Sequence, residues 1–188
     1  MPRNTVTIHQ ASARWGAIQG LRPRLALAAM ETQRHLPKNL QFPVSATLLL
    51  TTDADLRRLN RDFRGIGKPT NVLSFPQFTP GDLRRLKAST QTIELGDIAI
   101  GYQYVVAEAK EENKILINHI THLFIHGLLH LFGYDHMTDP DARRMERLET
   151  KIMAALDLPA PYALAETMEP KRNRKTAKIR SAARRSRR

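Results

Sequence analysis

The chain has 188 residues, enough for one domain with a single sizeable core, and its lack of cysteine excludes disulfides and thiolate ligands. Its formal charge is +12, yet residues 171–188 hold ten Lys or Arg and no acid, so the body is nearly neutral, with 20 basic against 18 acidic residues. Residues 1–5 lack the pattern of a secretory signal, and the most apolar stretch, 115–132, is broken by four histidines and Asn118, so a soluble, cytoplasmic protein without a membrane span is expected.

In chain order, residues 5–8 alternate and predict a short strand. Residues 12–36 have helical character, with Pro23 near the start of the main helix and Pro37 beyond its end. A buried strand is expected over 46–51. Thr52 or Asp53 then caps a helix running to about Phe63, with Leu56, Leu59 and Phe63 on one face. Residues 72–75 predict another strand, ended by Pro76, and 77–92 a loop with one helical turn at 82–85. A strand over 97–100 precedes a helix over 102–113 that has Val105, Val106 and Ala109 to bury. A histidine-bearing helix starts near Ile117, and Asp139 is the expected cap of a last helix reaching Leu156. Strands early and helices late predict an α+β fold, a small sheet with helices packed on it. Residues 1–160 form the expected single domain. The basic tail, 161–188, is too poor in apolar side chains to bury a core and is expected to be disordered when free. Its cations, Lys171, Arg172, Arg174 and Lys175 among them, suit a polyanion such as RNA.

Two segments carry chemistry. Between the helix and the strand, 59–76 holds a glycine-rich loop in which Arg64 and Lys68 can donate to a phosphate, Arg64 in forked geometry. Alone this is a weak signal, since two solvated cations at a turn are commoner. The run His126-Gly127-Leu128-Leu129-His130-Leu131-Phe132-Gly133-Tyr134-Asp135-His136 is far stronger. On a helix His126 and His130 share a face, and Gly133 can end the helix and turn His136 back toward them. Three neutral imidazoles with one position open are how proteins hold a catalytic zinc. Five of the seven histidines lie within 119–136. His122 and His130 are eight residues apart, so roughly 12 Å separates their attachment points. That is too far for one ion, and His122 belongs to the surroundings of the site or to the core. Zinc peptidases share this histidine spacing but place a general-base glutamate after the first histidine. Gly127 stands there instead and cannot accept a proton, which points to metal-assisted hydrolysis of another substrate.

The chain resembles the YbeY family of bacterial endoribonucleases. The likeness rests on HGLLHLFGYDH at 126–136, PTNVLSFP at 69–76, LGDIAI at 95–100 and LNRDFR at 59–64, and covers roughly 46–156. It implies an α+β fold with a zincin-like metal-binding helix and one zinc per chain, held by His126, His130 and His136. It also implies cleavage of single-stranded RNA, with Arg64 and His126 as the catalytic pair, in maturation of the 16S ribosomal RNA 3′ end and in ribosome quality control. Ribosomal RNA and small-subunit proteins are the implied partners. Family members often carry Lys and Asp where this chain has Ile66 and Gly67, and Asp where it has Asn71. Two other readings fit the same residues: a non-catalytic assembly factor stabilised by zinc, and a zinc hydrolase of another substrate. Asp135 can orient a ligand histidine or fix the turn, Tyr134 can fill the core or stack on a base, and nickel suits imidazole as well as zinc does.

Overall fold

The computed structural model describes residues 5–86 and 91–162. In chain order these hold β1 (Thr5–Gln10), α1 (Leu21–His35), β2 (Val44–Thr51), α2 (Asp53–Arg64), β3 (Val72–Pro76), α3 (Pro80–Arg85), β4 (Ile93–Gly101), α4 (Tyr102–Glu111), α5 (Leu116–Leu131) and α6 (Asp139–Ala155). The strands form one mixed sheet in the order β1-β2-β4-β3. The first three are parallel, and β3 runs antiparallel to β4 at one edge, with Ser74 opposite Ile98. The α+β expectation holds.

Period-two alternation decides what each face of the sheet buries. Leu48, Leu50, Ile98 and Ile100 point into the main core, where they meet Leu25 and Ala28 of α1 and Ile120, Phe124 and Leu128 of α5. Leu73 and Ala99 point the other way, under Leu56 of α2, with Leu49, Leu59 and Phe75 packed around them. Each buried leucine or isoleucine contributes about 1.5–3 kcal/mol, so this two-sided burial holds the sheet between α2 and α5. Trp15, in a turn before α1, is buried and donates from Nε1 to the Thr51 carbonyl at 3.0 Å, tying the entry of α1 to the end of β2.

Several boundaries differ from expectation. The strand expected over 97–100 begins at Ile93, because its earlier residues pair with Val44 and Ser45 on β2. Within the expected loop, α3 forms behind a capping box: Thr79 and Asp82 each bond the other's backbone N–H. The cap of α6 is Thr138 rather than Asp139. Its extended backbone aims Oγ1 at the Asp141 N–H, 3.4 Å away, while Asp139 already lies in the first turn. Val106 is only half-buried, whereas Val105 and Ala109 are buried. From residue 163 on, the basic tail lies outside the described residues. No helix among those described is long and apolar enough to cross a membrane.

Candidate metal centre

The first two imidazoles come from α5, a helix enclosed on most sides by the core. His126 and His130 lie one turn apart, with ring centroids 4.6 Å from each other. The helix then stops in a Schellman turn: Gly133 adopts φ 79°, its N–H bonds the His130 carbonyl, and the Tyr134 N–H bonds that of Leu129. The reversed chain brings the His136 ring to 5.4 Å from that of His126 and 5.1 Å from that of His130. One nitrogen from each ring lies within 4.8 Å of the others, and this is the group among the described residues that could hold a metal ion.

The hydrogen bonds decide which nitrogens are free. His126 donates from Nδ1 to Glu149 Oε1 at 2.8 Å, and His130 from Nδ1 to the Tyr134 carbonyl at 3.0 Å. With those protons on Nδ1, both Nε2 atoms carry bare lone pairs, yet they face each other at 3.0 Å. Two acceptors at that distance repel unless a cation lies between them, and the spacing suits two ligands of one first-row ion. Burial, with the neighbouring His126 and His136 adding to it, pushes the His130 imidazole down to about 4, which keeps it neutral and able to ligate. An all-nitrogen donor set of this kind fits zinc.

Glu149 is the residue that spacing could not reveal. Its side chain is fully buried on α6 and accepts from His126, from His122 Nε2 at 3.0 Å and from the Tyr162 hydroxyl. Burial pushes its carboxyl up, but the hydrogen bonds from His122 and His126 outweigh that and hold it at about 2. The Tyr162 phenol is pushed up by burial and by the Glu149 charge, so it remains a donor. His122 thus stands behind the triad, in contact with Glu149. One signal was present in the sequence: Glu149 sits between Met145 and Ile152 on the buried face of α6, a carboxylate where an apolar side chain is the rule.

The sheet also shapes the site. A Cβ built on Gly127 would lie 2.9 Å from Ile98 Cγ2 and 3.2 Å from Ser74 Oγ, so the position occupied by glutamate in zinc peptidases has no room for a side chain here. A groove of about 780 Å³ opens beside the triad, bordered by Arg64, Asn71, Ser74 and Tyr134. Arg64 reaches it because α2 ends there at Gly65, in left-handed conformation. The loop that follows is tied at both ends. Asn60 Nδ2 donates to the Lys68 carbonyl at 2.9 Å, and Asn71 Nδ2 donates to Glu108 Oε2 at 2.9 Å. Glu108 accepts in turn from His119 Nε2 at 2.8 Å. Lys68 is exposed and does not border the groove. Asp135 fixes the turn, its Oδ1 accepting from the His136 N–H at 2.7 Å. Tyr134 is half-buried and lies under Arg144, and burial pushes its phenol up. The tail cations fall outside the described residues.

Comparison with known proteins adds a family to this geometry. The sequence model of the family described as endoribonuclease YbeY matches residues 22–157. Proteins named endoribonuclease YbeY are similar to this chain. The one from Bradyrhizobium diazoefficiens is 51% identical over 122 residues, 62% of this chain and 62% of that protein. The one from Nitrobacter hamburgensis is 50% identical over 146 residues, 74% of this chain and 73% of its own length. The one from a Chelativorans species is 42% identical over 166 residues, 86% of this chain and 95% of its own length. A solution structure of a Thermotoga maritima protein aligns with 90% of this chain and 99% of that one, at 18% identity and a TM-score of 0.48.

Proposed function

The chain belongs to the endoribonuclease YbeY family, and from that premise we propose that it is a zinc-dependent endoribonuclease that cuts single-stranded RNA. Its proposed role is maturation of the 16S ribosomal RNA 3′ end and ribosome quality control in the cytoplasm, alongside small-subunit proteins. The observation that carries the reading is the pair of facing Nε2 atoms of His126 and His130, with the His136 ring beside them.

His126, His130 and His136 would hold one zinc, which would supply Lewis-acid chemistry for acidifying water and polarising a phosphoryl oxygen. Glu149 Oε1 holds the Nδ1 proton of His126 and so keeps Nε2 of that ring bare. Arg64, which borders the groove, would neutralise charge developing on a phosphoryl group. Lys68, and tail residues such as Lys171, Arg172, Arg174 and Lys175, would add attraction for the RNA backbone beyond the groove. A peptidase reading is disfavoured because Gly127 offers no base and the sheet leaves no space for one.

The test is His126→Ala in the full chain, with folding checked by circular dichroism. Cleavage of a single-stranded RNA should fall to background while RNA binding persists. Wild-type cleavage in that folded variant would refute the catalytic role. A wild-type protein that binds zinc and RNA but cuts nothing would favour the assembly-factor alternative.

A further inference from the structure

A second hollow, of about 520 Å³, lies across the turn from the groove described above. The two share a wall made of Pro80, Gly133, Tyr134 and Asp135. The wall is tightly closed at one point, since a Cβ on Gly133 would lie 3.2 Å from Pro80 Cα, Cβ and Cγ. A polymer that runs from the triad into this second hollow must cross this ridge.

Arg144 of α6 stands on the far side. Its guanidinium carbon lies 5.2 Å from the centroid of the Tyr134 ring, within cation–π range. The side chain is exposed, and among the described residues no carboxylate lies within ion-pair distance of it. The two acids bordering the same hollow are engaged locally: Asp135 accepts from the His136 N–H, and Asp141 from the Thr138 hydroxyl at 2.5 Å. Arg58 and Arg61, by contrast, are each paired with an aspartate. Arg64 in the first groove likewise has no carboxylate partner among the described residues. A guanidinium without a carboxylate partner among the described residues therefore borders each hollow, Arg64 in the first and Arg144, bonded to Tyr134, in the second, with the histidine turn between them.

We propose that Tyr134 and Arg144 form a second RNA-binding subsite, which holds a nucleotide neighbouring the scissile one, across the ridge from Arg64. The inference rests on the RNA reading above and adds to it the path of the strand. The Tyr134 ring and hydroxyl restrain the position of the Arg144 guanidinium. The guanidinium offers forked N–H donors to a phosphate and a flat surface for a base. Asn39, exposed in the same hollow, brings an amide donor and acceptor suited to a base edge, and Pro37 and Pro80 supply apolar walls. Two hollows separated by a ridge suit splayed, unpaired bases, which gives a structural source for single-strand preference.

The experiment compares Arg144→Ala and Arg144→Lys with wild type, all as full chains loaded with zinc. It measures kcat and KM on a single-stranded RNA oligonucleotide, and the Kd of a fluorescent oligonucleotide by anisotropy across a salt series. Arg144→Ala should raise KM and Kd by roughly tenfold with kcat within about twofold, the loss expected for one stacking contact. Its salt slope should fall by about 0.7, one phosphate contact on a single strand. Arg144→Lys should restore the slope but not the full affinity, because lysine offers charge without a plane. Unchanged Kd and slope in the alanine variant would overturn the subsite. So would a fall in kcat at unchanged KM, which would make Arg144 a support for the metal turn. If wild type binds RNA but does not cut it, the proposed function fails, and the anisotropy comparison still decides the subsite.

Discussion

Removing the Glu149 carboxylate should weaken the metal site without touching a ligand. Its side chain is fully buried and takes three donors, from His126, His122 and Tyr162. Glu149→Gln keeps the shape and one acceptor for His126 but loses the charge that raises the basicity of that ring. Loss of such a partner typically costs 10- to 100-fold in metal affinity, about 1.4–2.8 kcal/mol. Glutamine should fall near the lower figure and alanine near the upper. Glu149→Ala also leaves three half-buried donors without their acceptor and opens a cavity, so the metal-free protein should lose about 2–4 kcal/mol. For a domain of this size that is a drop of roughly 10 °C in Tm. Zinc affinity is read by competition with a chromophoric chelator, and Tm by circular dichroism with and without zinc. Zinc affinity within twofold of wild type in the glutamine variant would refute the claim that Glu149 tunes His126.

Three further outcomes follow from the same contacts. Gly127→Ala places a Cβ 2.9 Å from Ile98 Cγ2 and should cost about 1–3 kcal/mol by overpacking; Tm unchanged from wild type would contradict that close approach. Asn71→Asp sets a carboxylate against Glu108 where an amide now donates, and should destabilise by about 1–3 kcal/mol in urea unfolding, whereas a neutral or stabilising effect would count against the Asn71–Glu108 bond. Metal-free stability should fall with acid: His130 is held at about 4 against an ordinary 6.5, so the unfolded chain binds the extra proton between those values. Glu149, held at about 2 rather than 4.5, carries the loss below pH 4.5. Urea midpoints that stay flat from pH 7 to 4 would show these shifts to be absent.

What could be read in the sequence was what the backbone encodes locally. A four-residue offset places His126 and His130 on one helix face, and Gly133 permits the left-handed residue that returns His136; neither needs knowledge of the rest of the fold. The same locality put most helices and strands close to their observed positions and demoted His122. Partners distant in sequence were not legible. Glu149 lies 23 residues from His126, and only the packing of α6 on α5 brings them together. Glu108 meets Asn71 across 37 residues in the same way. Strand order was hidden for a related reason: alternation says which side chains are buried but not which strand lies alongside, so the insertion of β4 between β2 and β3 emerges only from the fold. Lys68 shows a different limit: charge and loop context mark it as a phosphate donor, while only the fold shows that its exposed side chain does not border the groove that Arg64 lines.

The most direct test strips the full chain of metal and titrates zinc back while following cleavage of a single-stranded RNA, with His130→Ala beside wild type. Activity should be absent at the start, rise linearly and level off at one zinc per chain, and the variant should stay inactive throughout. Full cleavage by the metal-free protein, or a variant that still gains activity at one equivalent, would contradict a reaction centred on these three imidazoles.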